Sequence, residues 1–210
     1  MIISPNKIIG SLVYRTRKAL NDNEEFKQSL LKYAYHENCL VDGDFLFWHY
    51  PGTHNEISTV LLQLGEHYNG NLLKFPALLN FQTIKQERGE NIVLHYNLAL
   101  VGSVSSTWTT EQREIEVFDN LLRPVYREFM KQASTCKWFS TGYRVPRHTY
   151  YEIFTTGKNS GELQNMYGDY IDAIEMHDLT LTVNPKLCER DIETIELENK
   201  LVTSDINKLL

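Results

Sequence analysis

The sequence predicts an α+β fold in which a mainly antiparallel sheet packs against one long helix. Residues 92–101 (IVLHYNLALV) alternate between apolar and polar side chains, which is the two-residue period of a strand with one buried face. After Glu111 the apolar side chains recur every three or four residues, the period of a helix with one buried stripe: Ile115, Phe118, Leu122, Val125 and Phe129. Elements with matching apolar faces can cover each other, so this unit has a core of its own.

A hairpin and a capped helix start define the limits of this unit. The apolar run FPALLNFQTI at residues 75–84 predicts the first strand, and the charged residues 85–91, which include Gly89, predict the turn. Thr109 and Gln112 lie three residues apart, the spacing of a capping box at the start of the helix. The apolar stripe continues past Pro124, so we predict a kink there rather than the end of the helix.

The late part of the core predicts further strands at residues 150–154 and 169–183, and an exposed tip at 155–161. In the longest of these strands Glu175 and His177 interrupt the apolar face, which indicates a bulge, an edge or a solvent-facing stretch. The remaining apolar residues of this strand are expected to share one face: Ile171, Ala173, Leu179, Leu181 and Val183.

Helical patterns flank the core on both sides. Residues 6–20 and 24–35 predict two helices, and the charged residues 189–210 predict a last helix with a thin apolar stripe. Since so thin a stripe cannot fold alone, that helix must dock on its own domain or on a neighbouring subunit. We divide the chain into an N-terminal helical region (1–44), an α+β core (45–185) and a C-terminal arm (186–210).

Composition restricts the function classes. The chain has 210 residues, of which 42% are hydrophobic and 23% charged, as in soluble globular proteins. Its net charge of −6 argues against wrapping nucleic acid over the whole surface. The three cysteines, Cys39, Cys136 and Cys188, form neither a disulfide framework nor a zinc motif. With no signal peptide or membrane-spanning run, we expect synthesis in a cytoplasm and no membrane partner.

Histidine, cysteine and aspartate suggest three chemical sites, each with a simpler reading. His49, His54 and His67 surround a proline turn, but their spacing matches no zinc motif. Cys136 and His148 could be a thiol and its base, although a lone cysteine is more typical of a buried apolar position. A few carboxylates could hold a divalent ion, yet Asp-Gly-Asp is common turn chemistry: Asp42, Asp44, Asp169 and Asp172. We therefore predict no catalytic residue, cofactor or metal.

A basic and aromatic group near residue 150 is the fourth candidate. It contains Arg144, Arg147, His148, Tyr150 and Tyr151, with Lys158 in the following loop. Arginine and lysine contact phosphates and aromatic rings stack on bases, but the same residues also form the rim of protein contacts. The net charge favours the protein contact. If several copies form a ring, Arg144, Arg147 and Lys158 could line a channel for DNA.

The order of several segments resembles a known family. They are FLFWHYPGTHNEIS at 45–58, FPALLNFQ at 75–82, IVLHYNLALVG at 92–102 and GDYIDAIEMHDLTLTV at 168–183, with the long helix before the last. Together they resemble the tail-terminator or tail-completion proteins of tailed bacteriophages, in which an aromatic segment, two strands, a main helix and late strands follow in this order. The terminal helices are additions that would suit a protein clasping adjacent rings, as in the multi-ring necks of short-tailed, crAss-like phages.

The resemblance implies a structural virion protein rather than an enzyme. It would form a closed ring in the neck or tail, contact itself and adjacent portal, neck or tail rings, and surround DNA without sequence-specific binding. Aromatic side chains would occupy the subunit interfaces: Phe47, Trp48, Tyr50, Trp108, Tyr150 and Tyr151. Two alternatives stay open: a small metal-dependent hydrolase or nuclease using Asp and His within residues 42–54, and a monomeric adaptor that binds through its C-terminal tail.

Overall fold

The computed structural model describes residues 4–32, 36, 39–66, 73–89, 91–141, 146–152, 158–159, 162–163 and 170–206. The helices are α1 (Pro5–Asn21), α2 (Glu24–Leu31), α3 (His54–Glu66), α4 (residues 110–135) and α5 (Glu189–Ile206). The strands are β1 (Leu40–Val41), β2 (Asp44–Phe45), β3 (Trp48–Gly52), β4 (Ala77–Arg88), β5 (Ile92–Ser103), β6 (Phe139–Ser140), β7 (Arg147–Tyr151), β8 (Lys158–Asn159), β9 (Glu162–Leu163) and β10 (Ile171–Val183).

The main sheet has six strands in the order β3–β4–β5–β10–β6, and β7 also pairs with β10. Since β5 occupies one edge of β10, the short strands β6 and β7 share the other. All these pairs are antiparallel except β3–β4, which is parallel. The prediction of an α+β fold with a mainly antiparallel sheet is confirmed.

The predicted hairpin is present, but its strands are longer than expected. β4 continues to Arg88 and pairs there with Ile92, so the charged residues from 85 onward belong to the strand and only the residues after 88 form the turn. The polar side chains of this end are exposed on both faces of the strand, while the side chains nearer the start of β4 are buried. The backbone pairing of β4 and β5 therefore extends beyond the apolar residues from which the hairpin was predicted.

The larger core lies between one face of the sheet and helices α1, α4 and α5. β5 contributes Leu94, Tyr96, Leu98 and Leu100, as the alternation predicts. The same cluster includes Ile8 of α1, Phe129 of α4 and Ile195 of α5. Side chains from the predicted N-terminal region, core and C-terminal arm thus fill one common interior.

Among the described residues, the second face of the sheet is covered over one half only. Helix α3 packs Ile57, Leu61 and Leu64 over one half, against Ala99 and Val101 of β5 among others. The prediction that β5 buries only one face is therefore wrong in this half and right beyond it, where Asn97 is exposed. The uncovered half carries polar side chains.

A β-bulge in β10 divides the apolar face predicted for this strand. Between Met176 and Leu179 the register gains one residue relative to β5, and Asp178 there has φ of +57°. Ile171 and Ala173 lie under α3, whereas Leu179, Leu181 and Val183 lie in the larger core. The expectation of one shared face is corrected, because an extra residue reverses the side to which later side chains point. The predicted irregularity near Glu175 and His177 is confirmed.

Helix α4 is continuous but not regular. It consists of Thr110–Arg113, the π-helical segment Glu114–Leu122 and Arg123–Thr135. The predicted capping box of Thr109 and Gln112 is confirmed, and the helix passes through Pro124. In the wider π turns Ile115 leaves the predicted stripe and is 44% exposed, while Val117 and Leu121 are buried.

Side chains satisfy carbonyls of the π segment. His36 Nε2 donates to the Glu116 carbonyl at 2.7 Å, and the Asn120 amide donates to the Ile115 carbonyl. A π turn displaces carbonyls from the regular i→i+4 pattern, so such external donors stabilise it.

Helix α5 docks on α1 of its own chain. Lys7 donates to Glu196 at 2.6 Å, Arg15 reaches Glu198 at 2.9 and 3.0 Å, and the Ser11 hydroxyl also donates to Glu198. At its start, Asp191 accepts a hydrogen bond from the Trp138 indole at 2.8 Å. Of the two docking modes left open by the sequence, the described part of the arm adopts the intramolecular one.

Helices α1 and α5 approach each other closely at Gly10, and this contact can be tested. A Cβ added to Gly10 would lie 1.9 Å from Asn199 Oδ1 and 2.8 Å from its Cγ. We expect Gly10→Val to displace the Asn199 side chain and lower the free energy of unfolding by about 1 kcal/mol, the low end of the cost of overpacking. Denaturant unfolding measures this change. Gly89→Val is the control, since nothing lies within 4 Å of a Cβ there, and equal losses in both variants would contradict the prediction.

Candidate functional site

Strand β7 is an open edge of the main sheet. β10 pairs with one side of it through residues Ala173–His177, and within the described ranges no strand pairs with its other side. The opposite edge differs, because β3 contains Pro51 and is contacted by α1, α3 and α5. Proline and a covering layer protect an edge from further pairing. Among the described residues, β7 is therefore the edge strand with fewer features that prevent further pairing.

The helix-facing side of β7 is anchored on α4. His148 Nε2 and Tyr126 Oη share a hydrogen bond of 2.6 Å, and their rings meet edge to face at 4.9 Å. Burial raises the pKa of Tyr126 to about 12, with a smaller contribution from Tyr150, and burial lowers the pKa of His148. Near neutral pH the tyrosine hydroxyl therefore donates to a neutral imidazole.

Tyr150 lies beside this anchor and leaves much of its ring in solvent. It contacts Phe118 edge to face at 5.8 Å, and the Arg123 guanidinium lies 5.5 Å from its centroid. Glu114 and Asp119 both pair with that arginine. Tyr150 is still 54% exposed and Tyr151, on the opposite face, 36% exposed. An edge strand with aromatic rings on both sides is suited to a protein contact.

The other face of β7 continues into the uncovered, polar half of the sheet. Thr149 Oγ1 and His177 Nε2 share a hydrogen bond of 2.8 Å, and the same histidine nitrogen lies 3.6 Å from Glu175. Tyr151 also bonds to Glu175. Burial, and after it the charge of Glu175, raises the pKa of the tyrosine. These bonds connect β7 to β10 side chain by side chain.

A polar cleft of about 360 Å³ lies further along this face, above strands β4, β5 and β10. His95 Nδ1 donates to Asp178 Oδ1 at 2.7 Å, and Asn97 Oδ1 accepts from the Asp178 backbone N–H at 3.1 Å. Glu87 lies 3.6 Å from the other nitrogen of His95. These contacts satisfy the polar groups of the bulge, so their first role is to hold the register of β10.

Three of the predicted interface residues belong instead to the core of the protomer. Phe47, Trp48 and Tyr50 are 0%, 1% and 3% exposed. The Trp48 indole donates to the Leu73 carbonyl, and the Tyr50 hydroxyl donates to the Lys74 carbonyl at 3.2 Å. Their assignment to a subunit interface is corrected, because neighbouring elements already cover them.

The other predicted site residues have mixed positions. Trp108 is partly buried against the larger core, and its carbonyl accepts a hydrogen bond from Arg113. Of the predicted channel residues, Arg147 is exposed in β7, whereas Arg144 lies outside the described residues. Lys158 belongs to β8, and its side chain is outside the described part. Tyr150, Tyr151 and Arg147 are thus together on one strand.

The Asp and His residues of the hydrolase alternative do not share one environment, because some are exposed and one is buried. Asp42 and Asp44 are exposed at the β1–β2 turn, where Asp42 and Gly43 have φ of +52° and +83°. His49 is buried and accepts a hydrogen bond from the Asn80 amide at 3.3 Å. His54 stacks on Phe81 at 4.1 Å, and His67 lies outside the described residues.

The remaining chemical candidates are also held by structural contacts. Cys136 is buried, which raises the pKa of its thiol, and it bonds to the backbone of Trp138, while His148 bonds to Tyr126. Asp172 pairs with Arg113, and Asp169 lies outside the described residues. Among the described side chains, no three His, Cys, Asp or Glu residues are gathered so as to hold a metal ion. None of the described helices has the length and apolar content to cross a membrane.

The comparisons with known proteins give no relative. No family model, no curated protein and no solved structure matches this chain.

The buried ion pair of Arg113 and Asp172 was not predicted from the sequence. The two side chains are 4% and 0% exposed, and Arg113 Nη1 donates to Asp172 Oδ1 at 2.6 Å. The guanidinium also donates to the carbonyls of Ser105 and Trp108, which fixes the loop between β5 and α4. The only signal in the sequence was a charged residue within an otherwise apolar strand start, which by itself gives no partner.

Removing one charge of this pair tests its structural role. We expect Asp172→Ala to lower the free energy of unfolding by about 3–5 kcal/mol, because it leaves a buried guanidinium without its counter-charge. The double variant Arg113→Met/Asp172→Leu is expected to recover most of that loss. Denaturant unfolding compares the variants with Glu196→Ala, which removes an exposed pair and is expected to cost less than about 1 kcal/mol. A small loss for Asp172→Ala would contradict the assignment.

The buried His49 gives a pH dependence with a defined sign. Burial lowers its pKa from 6.5 to about 3. Between these values the unfolded chain binds a proton at this residue and the folded chain does not, so acid weakens the fold. Relative to His49→Gln, whose amide oxygen can still accept from Asn80, wild-type stability is expected to fall by about 3 kcal/mol between pH 6.5 and 4. Urea unfolding at several pH values measures the difference, and parallel curves would refute it.

Proposed function

We propose that this protein is a structural subunit of a phage neck or tail, which assembles through repeated contacts into a ring around the DNA channel. The observation that carries the proposal is the open edge strand β7 with exposed Tyr150 and Tyr151 on its two faces. The resemblance of residues 45–183 to tail-terminator proteins supplies the virion context. The order of strands and helix on which that resemblance rests agrees with the order β3, β4, β5, α4 and β10.

The internal rigidity of the subunit supports this proposal. Helices pack on both faces of the sheet, and α5 closes over α1, so one subunit presents a fixed surface to its neighbours. A pre-organised surface loses little conformational freedom on association, and each repeated contact can therefore be modest. Adjacent neck rings are the proposed partners of the remaining surface.

The negative net charge of the chain agrees with a channel through which DNA passes without being bound tightly. The chain has a net charge of −6. Three of its arginines are neutralised within the fold, Arg15 by Glu198, Arg113 by Asp172, and Arg123 by Glu114 and Asp119. Strong non-specific binding requires many free cationic side chains, so a channel of this composition would let the duplex move.

The test is the composition of particles whose genome encodes this chain. Quantitative mass spectrometry of purified particles is expected to find the protein in a fixed number of copies. The double variant Tyr150→Ser/Tyr151→Ser is expected to reduce incorporation by at least about tenfold, since buried aromatic anchors contribute most of the energy of such contacts.

The control for this experiment is Leu62→Ser/Leu197→Ser, which changes two exposed leucines on helices α3 and α5, away from β7. Both double variants should keep the thermal midpoint of the wild type within a few degrees. Particles that lack the protein, or purified protein that turns over a substrate, would refute the structural proposal.

A further inference from the structure

We propose that β7 pairs with β7 of a second copy, antiparallel and across a two-fold axis at Thr149. The inference rests on the proposed function and specifies the partner and the geometry of the same site. The two main sheets would then form one continuous sheet through the open edges of both copies. Three observations support it: no described strand pairs with the outer side of β7, the opposite edge strand β3 contains a proline, and the side chains of β7 complement each other.

The sequence of β7, RHTYY, is complementary to itself in this register. Antiparallel pairing about Thr149 places Arg147 opposite Tyr151 of the second copy, and His148 opposite Tyr150. An arginine beside an aromatic ring is a favourable cation–π pair, and threonine opposite threonine is a favoured cross-strand pair. The two Arg147 side chains lie at opposite ends of the paired strands, so the like charges are kept apart.

The charge distribution also favours this partner. Arg147 is exposed and has no ion pair among the described residues. An unpaired charge on an edge strand normally discourages pairing with other chains, but here the facing tyrosine turns it into a favourable contact. The polar face beneath is already satisfied by the bond between Thr149 and His177 and by that between Tyr151 and Glu175. A second copy could dock without leaving these groups unpaired.

A two-fold contact joins copies in pairs. A closed assembly of more than two copies then needs a second, different contact. The two contacts together give dihedral symmetry, in which two rings face each other. The pairing of β7 is therefore one of two kinds of repeated contact in the proposed assembly, and a second contact on another surface of the subunit closes each ring.

Disulfide trapping tests both the contact and its register. Cys39 and Cys136 are buried, so replacing the exposed Cys188 by serine removes the reactive background. In that background Thr149→Cys brings two thiols face to face on the axis, within the roughly 4–5 Å that separates opposed Cβ atoms. Arg147→Cys is the matched control, since each introduced thiol would lie about 13 Å from its counterpart, four residues along the strand.

Under mild oxidation we expect the full-length Thr149→Cys chain to shift from 24.5 kDa to twice that mass on a non-reducing gel. Arg147→Cys alone should remain at the monomer mass, and Arg147→Cys/Tyr151→Cys should again shift. Sedimentation should show a dimer or a multiple of it for the wild type. Circular dichroism confirms that each variant is folded.

Every other outcome overturns this pairing. Thr149→Cys without a cross-link excludes the contact, and equal cross-linking of Arg147→Cys means a different register. Capture of a different protein at the introduced thiol instead of a second copy also refutes it. These failures leave the proposed function standing if the protein is found in particles in fixed copies, and absence from particles leaves the pairing result unchanged.

Discussion

One extra residue in β10 decides which face of the sheet the second half of this strand contributes to the core. The bulge at Asp178 reverses the alternation, and this brings Leu179, Leu181 and Val183 into the core beside Tyr96 and Leu94 of β5. Without it these apolar residues would face the polar half of the sheet. The left-handed backbone of Asp178 is stabilised by Asn97 and His95, whose polar side chains on a central strand would otherwise be unexplained.

Helix coverage decides which surfaces remain for other molecules. Helices α1, α4 and α5 pack on one face of the sheet, and among the described elements α3 packs on one half of the other face. The aromatic side chains Phe47, Trp48 and Tyr50 fill the layers under these helices. Many aromatic residues therefore fill the interior. Among the described residues Tyr150, Tyr151 and Tyr170 keep exposed rings, and the first two lie on the edge strand β7.

The side chains of β7 connect the exposed surface at Tyr150 and Tyr151 to the core. Its helix-facing side chains touch α4 through Tyr126 and Phe118, and its other side chains touch β10 through His177 and Glu175. α4 itself is held on the sheet by the buried pair of Arg113 and Asp172. A strand anchored on both sides in this way keeps a defined geometry while its outer backbone stays accessible, which a repeated subunit contact requires.

The sequence alone determined the class of fold, the hairpin of β4 and β5, the start of α4 and the irregularity in β10, because each is encoded by residues that are close along the chain. Only the tertiary structure decided that Phe47, Trp48 and Tyr50 are internal, that α5 docks on α1 of its own chain, and that Asp172 meets Arg113. Those outcomes depend on residues up to 189 positions apart, such as Lys7 and Glu196, and on which helix covers which face. The alternation of side chains within one strand predicts that one face is apolar, but it does not predict which element will cover that face.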